Sequence, residues 1–459
     1  MKPPEYNLLD EPWVPVRLLD GTITEVGLLE LLQRSTDIAD LACELPTQNI
    51  AIQRLVLAVA YRVATPLDAE EWLEQLEEGA PIEQMIDYLE KWRERFYLFG
   101  GQYPFMQVAD LRTPKDTVSG LEKVIADVPN GEQFFTTRNG KALECISAAE
   151  AARWVVHTQA YDPSGIRSGA VGDREVKGGK GYPIGPAWCG HLGLVWLKGK
   201  NFNETLLLNL VPADAGDLKG VPVTTEWDWC TWEVSTPETS ARGNYSRLDP
   251  KGTPRDLSIP RLLTWHSRRI KLIGDPSGVT SVVLAQGDKL APQQMQRYEP
   301  QSLWRYSLPQ SRNLKQDVYM PSKFKAGRAL WRDLPGTLPV CEMIQGADKQ
   351  PKREFLQSAV LSFHAELKSS MLAEDYPTQM QIQAVGVTYG PKEATVDDIY
   401  ADELTLSVAM MRTEREDLAA EVDRQVRLTE QVAVKVGMLG ANLARAAGES
   451  GDGAGDGAR

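Results

Sequence analysis

Residues 49–61 read NIAIQRLVLAVAY. Ile50, Ile52, Leu55, Leu57 and Val59 distribute apolar side chains almost all the way round a helix, which predicts a core element and not an amphipathic surface helix. Upstream, residues 7–17 (NLLDEPWVPVR) carry Pro12 and Pro15, which exclude a helix interior; the stretch reads as a turn feeding an edge strand. Downstream, residues 69–98 form a more acidic helical stretch with Trp72, Leu73, Leu76, Met85, Ile86, Leu89 and Trp92 on its apolar face. Ser147 followed by Glu150 predicts a capping box for a helix over 147–160. A glycine-rich loop follows at 161–190, with short strands expected in 192–211 and 221–233 and further strands at 269–273 and 279–284. An amphipathic helix is expected at 353–372, two strands with a loop at 381–411, and a long helix at 414–447. Helices and strands mix without a βαβ rhythm, so the fold class is α+β. The expected division is a large mixed domain over 1–410, the first helix of a C-terminal helical bundle at 411–447, and a low-complexity Gly/Asp tail at 448–459 that is expected to be disordered.

Several function classes fall away on composition and motif. No run of eighteen apolar residues is present and the N-terminus lacks the apolar core of a signal peptide, so no membrane partner is expected and the expected location is the cytoplasm. The five cysteines form no CxxC pair and the four histidines no HxxxH or HExxH pair, which argues against a zinc site of familiar spacing. No GxSxG elbow appears. Gly178-Gly179-Lys180-Gly181 resembles the end of a P-loop, but Gly181 stands where magnesium chemistry needs Ser or Thr. Adjacent acids such as Asp397-Asp398 read as solvated faces. The expectation is a protein that is not an enzyme and has no cofactor.

Charge is more informative. The net charge of the chain is −13, yet residues 242–332 hold seventeen Lys/Arg against six Asp/Glu. Residues 1–100, by contrast, hold more than twice as many acids as bases. Screening confines each field to about 8–10 Å at physiological salt, so one region can face an anionic partner while the whole is acidic. Arg268, Arg269, Lys271, Lys323 and Lys325 are candidates for phosphate contacts, with Trp265, Trp304 and Phe324 interleaved as stacking faces. Gly165, Gly169, Gly178 and Gly179 remove side chains that would keep a backbone from a groove wall. Upstream, residues 133–140 (QFFTTRNG) place the aromatic pair Phe134 and Phe135 in a loop.

Taken in order, the motifs resemble one family. Residues 7–16 (NLLDEPWVPV), the stretch 44–47 (ELPT), 103–107 (YPFMQ) and 206–210 (LLLNL) are similar to elements of CasA, the large subunit of type I-E CRISPR Cascade. The resemblance implies a non-catalytic subunit that recognises the short flanking motif (PAM) of double-stranded target DNA, starts strand separation and recruits the helicase-nuclease. It implies the 5′ end of the guide RNA and other Cascade subunits as partners. By the same resemblance, Phe135, with Phe134, Thr136 and Thr137, falls in the loop that meets the guide RNA and a neighbouring subunit. Gly165, Gly169, Gly178, Gly179 and Arg297 fall where the flanking motif is read in the minor groove. Tyr389, Pro391, Lys392 and Glu393 occupy the wedge within 386–396, with Lys392 and Glu393 where the family commonly has Asn and Gln. The family's bundle has four helices and this sequence supplies one, so a shortened bundle is expected. The alternative is a scaffold that binds RNA and protein partners and leaves DNA to others.

Overall fold

Residues 49–61 lie inside the helix Pro46–Ala64, with Pro46 in its first turn. Nearly every position from Thr47 to Tyr61 is buried, including Gln48, Gln53 and Arg54. The computed structural model describes residues 4–128, 136, 138, 141–215, 229–233, 257–325, 327–338, 343–369, 377–412 and 415–447. Expectations for Phe134, Phe135, Thr137, 221–228, the basic residues 242–256 and the tail 448–459 fall outside the described residues.

The core helix packs against the helices Ala148–Tyr161 and Ile259–Leu263. Arg54 in its middle makes a bidentate ion pair with Glu299, at 2.7 and 2.8 Å, with both side chains no more than 2% exposed. Trp188 Nε1 also donates to Glu299. The pair fastens the helix to the connection after the first of the two hairpins described below. A buried pair of this kind is costly to break from one side, because the remaining charge is stranded.

The acidic stretch 69–98 is not one helix. It divides into Ala69–Glu78, Ile82–Lys91, a 3₁₀ turn Arg93–Arg95 and the strand Tyr97–Phe99. Gly79, at φ +97, and Pro81 make the break, since neither continues a right-handed helix without penalty. The opening strand is not an edge: Val14–Leu18 is central, between Ile23–Val26 and Ile38–Leu41. Pro15 is tolerated because position 15 lies just beyond the residues paired with the strand Ile38–Leu41, where its missing N–H breaks no ladder. Residues 202–209 form a helix capped by Asn201, not a strand. The helix expected at 353–372 runs from Ala359 to Ser369, after strands Pro351–Arg353 and Phe355–Leu356.

Two hairpins carry the rest. Arg268–Asp275 pairs antiparallel with Gly278–Gln286. Gln379–Tyr389 pairs with Val396–Ser407 and, on its other edge, with Gly193–Lys198. The final helix, Glu416–Ala446, buries Ala419 and Val426 near its start, while Leu428, Val432, Val436, Leu439 and Leu443 stay 47–62% exposed. The α+β class stands. No single described helix is long and apolar enough to cross a membrane.

Candidate nucleic-acid interface

The tip of the hairpin 379–407 and the head of the glycine-rich loop form one structure. The helix Ala148–Tyr161 begins at Ser147, whose Oγ accepts from the Glu150 N–H at 3.1 Å; that half of the capping box is formed. Its last residue, Tyr161, accepts a hydrogen bond at its carbonyl from the Tyr389 hydroxyl, 2.6 Å away. Three residues on, the Ser164 N–H donates to the Glu393 carbonyl at 2.7 Å. The turn that presents this carbonyl is tight: Lys392 and Glu393 take φ of +59 and +56, and the Gly390 N–H donates to Thr395 at 3.0 Å. Pro391 and Lys392 at its tip are exposed. Lys323 reaches in from a third segment, 3.6 Å from the Glu393 carboxylate and 5.3 Å from the centre of the Tyr389 ring. Burial lowers the Lys323 pKa, with Glu393 opposing the shift. Beneath it, burial together with Lys323, Lys289 and Arg268 pushes His191 down to about 3, so its ring is neutral. Gly190 is required here, because a Cβ would lie 2.3 Å from the Tyr389 hydroxyl oxygen.

The glycine-rich loop is an ordered ribbon. The Gly169 N–H donates to Gly179 and the Gly181 N–H to Arg167, closing a turn at 177–180. Gly178 and Gly179 sit at its exposed tip with φ of +57 and +76, and a β-carbon at either position would meet nothing within 4 Å. Gly169, in contrast, packs under Val176, and Gly165 is half-buried with its carbonyl accepting from Gln286 at 2.8 Å. Of the four glycines, only Gly178 and Gly179 thus present open backbone.

Arg268 and Arg269 are corrections to the phosphate set, being only 4% and 2% exposed. Arg268 binds Asp162 and the carbonyls of Pro163 at 3.0 Å and Gly185 at 2.8 Å, so it clamps both ends of the ribbon from inside. Arg167 binds the same Asp162. Arg269 pairs with Asp288 at 3.1 Å. Both faces of their strand are covered by chain, so neither guanidinium reaches solvent. Lys271 on that strand is half-buried, the Lys323 side chain is 36% exposed beside Glu393, and Arg297 and Lys325 are exposed. Thr136 accepts from the Arg138 N–H, and Arg138 is held by Glu44, Asp127 and Glu150.

Two cavities flank the joint. One, of about 330 Å³, lies between residues 113–126, the head of the ribbon, the strand at Val283–Leu284 and the hairpin at Ala394 and Val396. The other is a cleft of about 1040 Å³ between residues 320–336 and the final helix, walled by Lys323, Lys325, Arg328 and Arg332. Across it, Glu430 of the helix pairs with Arg328 at 3.2 Å and with Arg332 at 3.0 Å. Among the described residues, no group of three or more His, Cys, Asp or Glu could hold a metal ion. Asp162, Ser164 and Arg167 were not singled out by sequence. The one available signal was their position directly after a capped helix, at the start of the glycine-rich stretch.

Known proteins resemble the whole of this architecture. The family model for CRISPR-associated protein Cse1 matches residues 7–459. A CRISPR-associated protein CasA/Cse1 from Thermus thermophilus is 30% identical over 344 residues, 73% of this chain and 60% of the relative's own length. The crystal structure of Thermobifida fusca Cse1 superposes with a TM-score of 0.87 at 37% identity, covering 99% of this chain and 83% of that one. A chain in a structure described as a CRISPR RNA-guided surveillance complex shares the fold, with a TM-score of 0.66 at 19% identity, covering 96% of this chain and 84% of that one.

Proposed function

This chain belongs to the CRISPR-associated Cse1 family, and from that premise we propose that it is the non-catalytic large subunit of a type I-E Cascade surveillance complex. In this reading it recognises the flanking motif of double-stranded DNA, begins strand separation, and recruits the helicase-nuclease. Its further partners are the 5′ end of the guide RNA, through residues 134–137, and the other Cascade subunits.

The observation that carries the reading is the joint between hairpin tip and ribbon. Wedge residues 389–393 are tied to the head of the glycine-rich ribbon by the Ser164–Glu393 and Tyr389–Tyr161 hydrogen bonds. A turn fixed in this way can press between strands without folding back, and the open backbone at Gly178 and Gly179 can approach a groove wall. Minor-groove contacts of this kind discriminate poorly among base pairs, so tolerance of several flanking motifs is expected. Lys323 and Lys325 supply phosphate contacts in place of the buried Arg268 and Arg269, and Arg297 is kept for the flanking motif.

The test is duplex binding by the assembled complex with and without this chain, on targets that differ only in the flanking trinucleotide. Binding that requires the chain and varies with the trinucleotide is the expected result. Equal binding in both cases would assign the chain a scaffold role.

A further inference from the structure

Ile166 stands beside the joint and is 66% exposed. A single exposed aliphatic side chain is ordinary on a protein surface. What sets this one apart is the backbone that carries it. The Asp162 carbonyl accepts from the Ala187 N–H at 2.9 Å, and the Ser164 N–H donates to the Glu393 carbonyl at 2.7 Å. The Gly165 carbonyl accepts from the Gln286 side chain at 2.8 Å, and the Arg167 carbonyl from the Gly181 N–H at 3.0 Å. Four separate segments thus grip the main chain on the two sides of Ile166. From beneath, Arg268 bonds the Asp162 carboxylate and the Pro163 carbonyl, and Arg167 closes on the same carboxylate. These braces hold outward a side chain with no polar atom. Ile166 and Ala394 border the same cavity, which places the isoleucine at the foot of the turn whose tip exposes Pro391 and Lys392.

We propose that Ile166 is a second wedge, entering the minor groove of the DNA duplex and inserting at the base step next to the one parted by the hairpin tip. The inference rests on the duplex-binding reading above and deepens it. An aliphatic side chain makes no hydrogen bond to a base edge, so it reads no sequence; it fills the space that an unstacked step opens. Burial of its exposed surface between bases offsets part of the stacking lost. Such a wedge works only if its backbone does not yield, which the contacts on either side of Ile166 secure. A duplex is favoured over a neighbouring protein subunit because the same ribbon carries the bare backbone of Gly178 and Gly179 and the adjoining turn exposes Lys392. Open backbone and an ammonium group suit a phosphate-lined groove.

The test uses the full chain assembled in its complex, with 2-aminopurine in the first target pair to report opening. On a fully paired duplex, Ile166→Ala should slow the fluorescence rise and weaken binding, each roughly five- to thirtyfold. Ile166→Leu, which keeps the bulk, should restore most of both. On a duplex whose first target pairs are mismatched and already open, Ile166→Ala should bind as tightly as the unmodified complex. The salt slope of binding should not change, since no phosphate contact is lost. Equal opening by the Ile166→Ala and unmodified complexes on the paired duplex overturns the proposal. So does binding weakened by the same factor on paired and pre-opened duplexes, which marks a contact unrelated to unstacking. Failure of the Ile166→Ala chain to enter the complex marks a subunit contact and overturns it as well. An unmodified complex that does not bind the paired duplex would instead refute the duplex-binding reading, and this inference with it.

Discussion

Replacing Arg268 separates a structural from a DNA-contacting role. Arg268→Met removes a guanidinium that binds Asp162 and the Pro163 and Gly185 carbonyls inside the protein. Breaking a buried pair from one side costs about 3–5 kcal/mol. Arg167 stays on Asp162, so the stranded charge keeps one partner and the lower end, about 3 kcal/mol, is expected. With a urea dependence of about 3 kcal/mol per molar, the unfolding midpoint should fall by about 1 M. The slope of log affinity against log salt for duplex binding should not change, because no phosphate contact is lost. Lys325→Met provides the opposite case. Its ammonium is exposed, so stability should move by less than about 0.5 kcal/mol. The salt slope should become shallower by about 0.9. An Arg268→Met protein of unchanged urea midpoint and shallower salt slope would refute the clamp and restore Arg268 to the phosphate set.

Three further outcomes follow from the geometry. His157 and His191 are held down to about 3 and His364 to about 4, in each case mainly by burial. Below the ordinary value of 6.5 the unfolded chain takes up protons that the folded chain refuses, so stability falls as pH falls. At pH 5.5 the three together should remove about 4 kcal/mol, and urea titrations of His364→Gln should show a shallower loss between pH 6.5 and 4. Gly190→Ala forces a methyl to within 2.3 Å of the Tyr389 hydroxyl oxygen and should destabilise by about 1–3 kcal/mol; a double variant that also carries Tyr389→Ala should recover part of the loss. Glu430→Ala frees the final helix from Arg328 and Arg332, ion pairs only 27% exposed on each side. Amide exchange should quicken along 416–446 and stay unchanged in the core helix, with an effect of about 1 kcal/mol.

What could be read from the sequence divides along a physical line. The hairpin 379–407 and the helix at 49–61 announce themselves through local signals, alternation at the start of the hairpin and an apolar run with scarcely a polar face in the helix. Arg54 does not, since its partner Glu299 lies 245 residues away and no local pattern encodes that pairing. The same blindness governs the basic stretch. Counting seventeen bases over 242–332 measures charge and not exposure. In the folded chain Arg261, Arg268 and Arg269 are all buried, and the last two are matched by carboxylates from other segments. The glycines mislead in a complementary way. Their density suggests an open loop, but Gly169 is small because Val176 packs over it, and Gly190 because Tyr389 does; of the four candidate glycines, only the pair at 178–179 has bare backbone. The candidate interface is therefore organised less by its exposed cations than by backbone groups and the buried Arg268–Asp162–Arg167 cluster beneath them. A positive surface attracts any polyanion, whereas, on the function proposed above, a hairpin tip hydrogen-bonded to the head of the ribbon would select a duplex by shape.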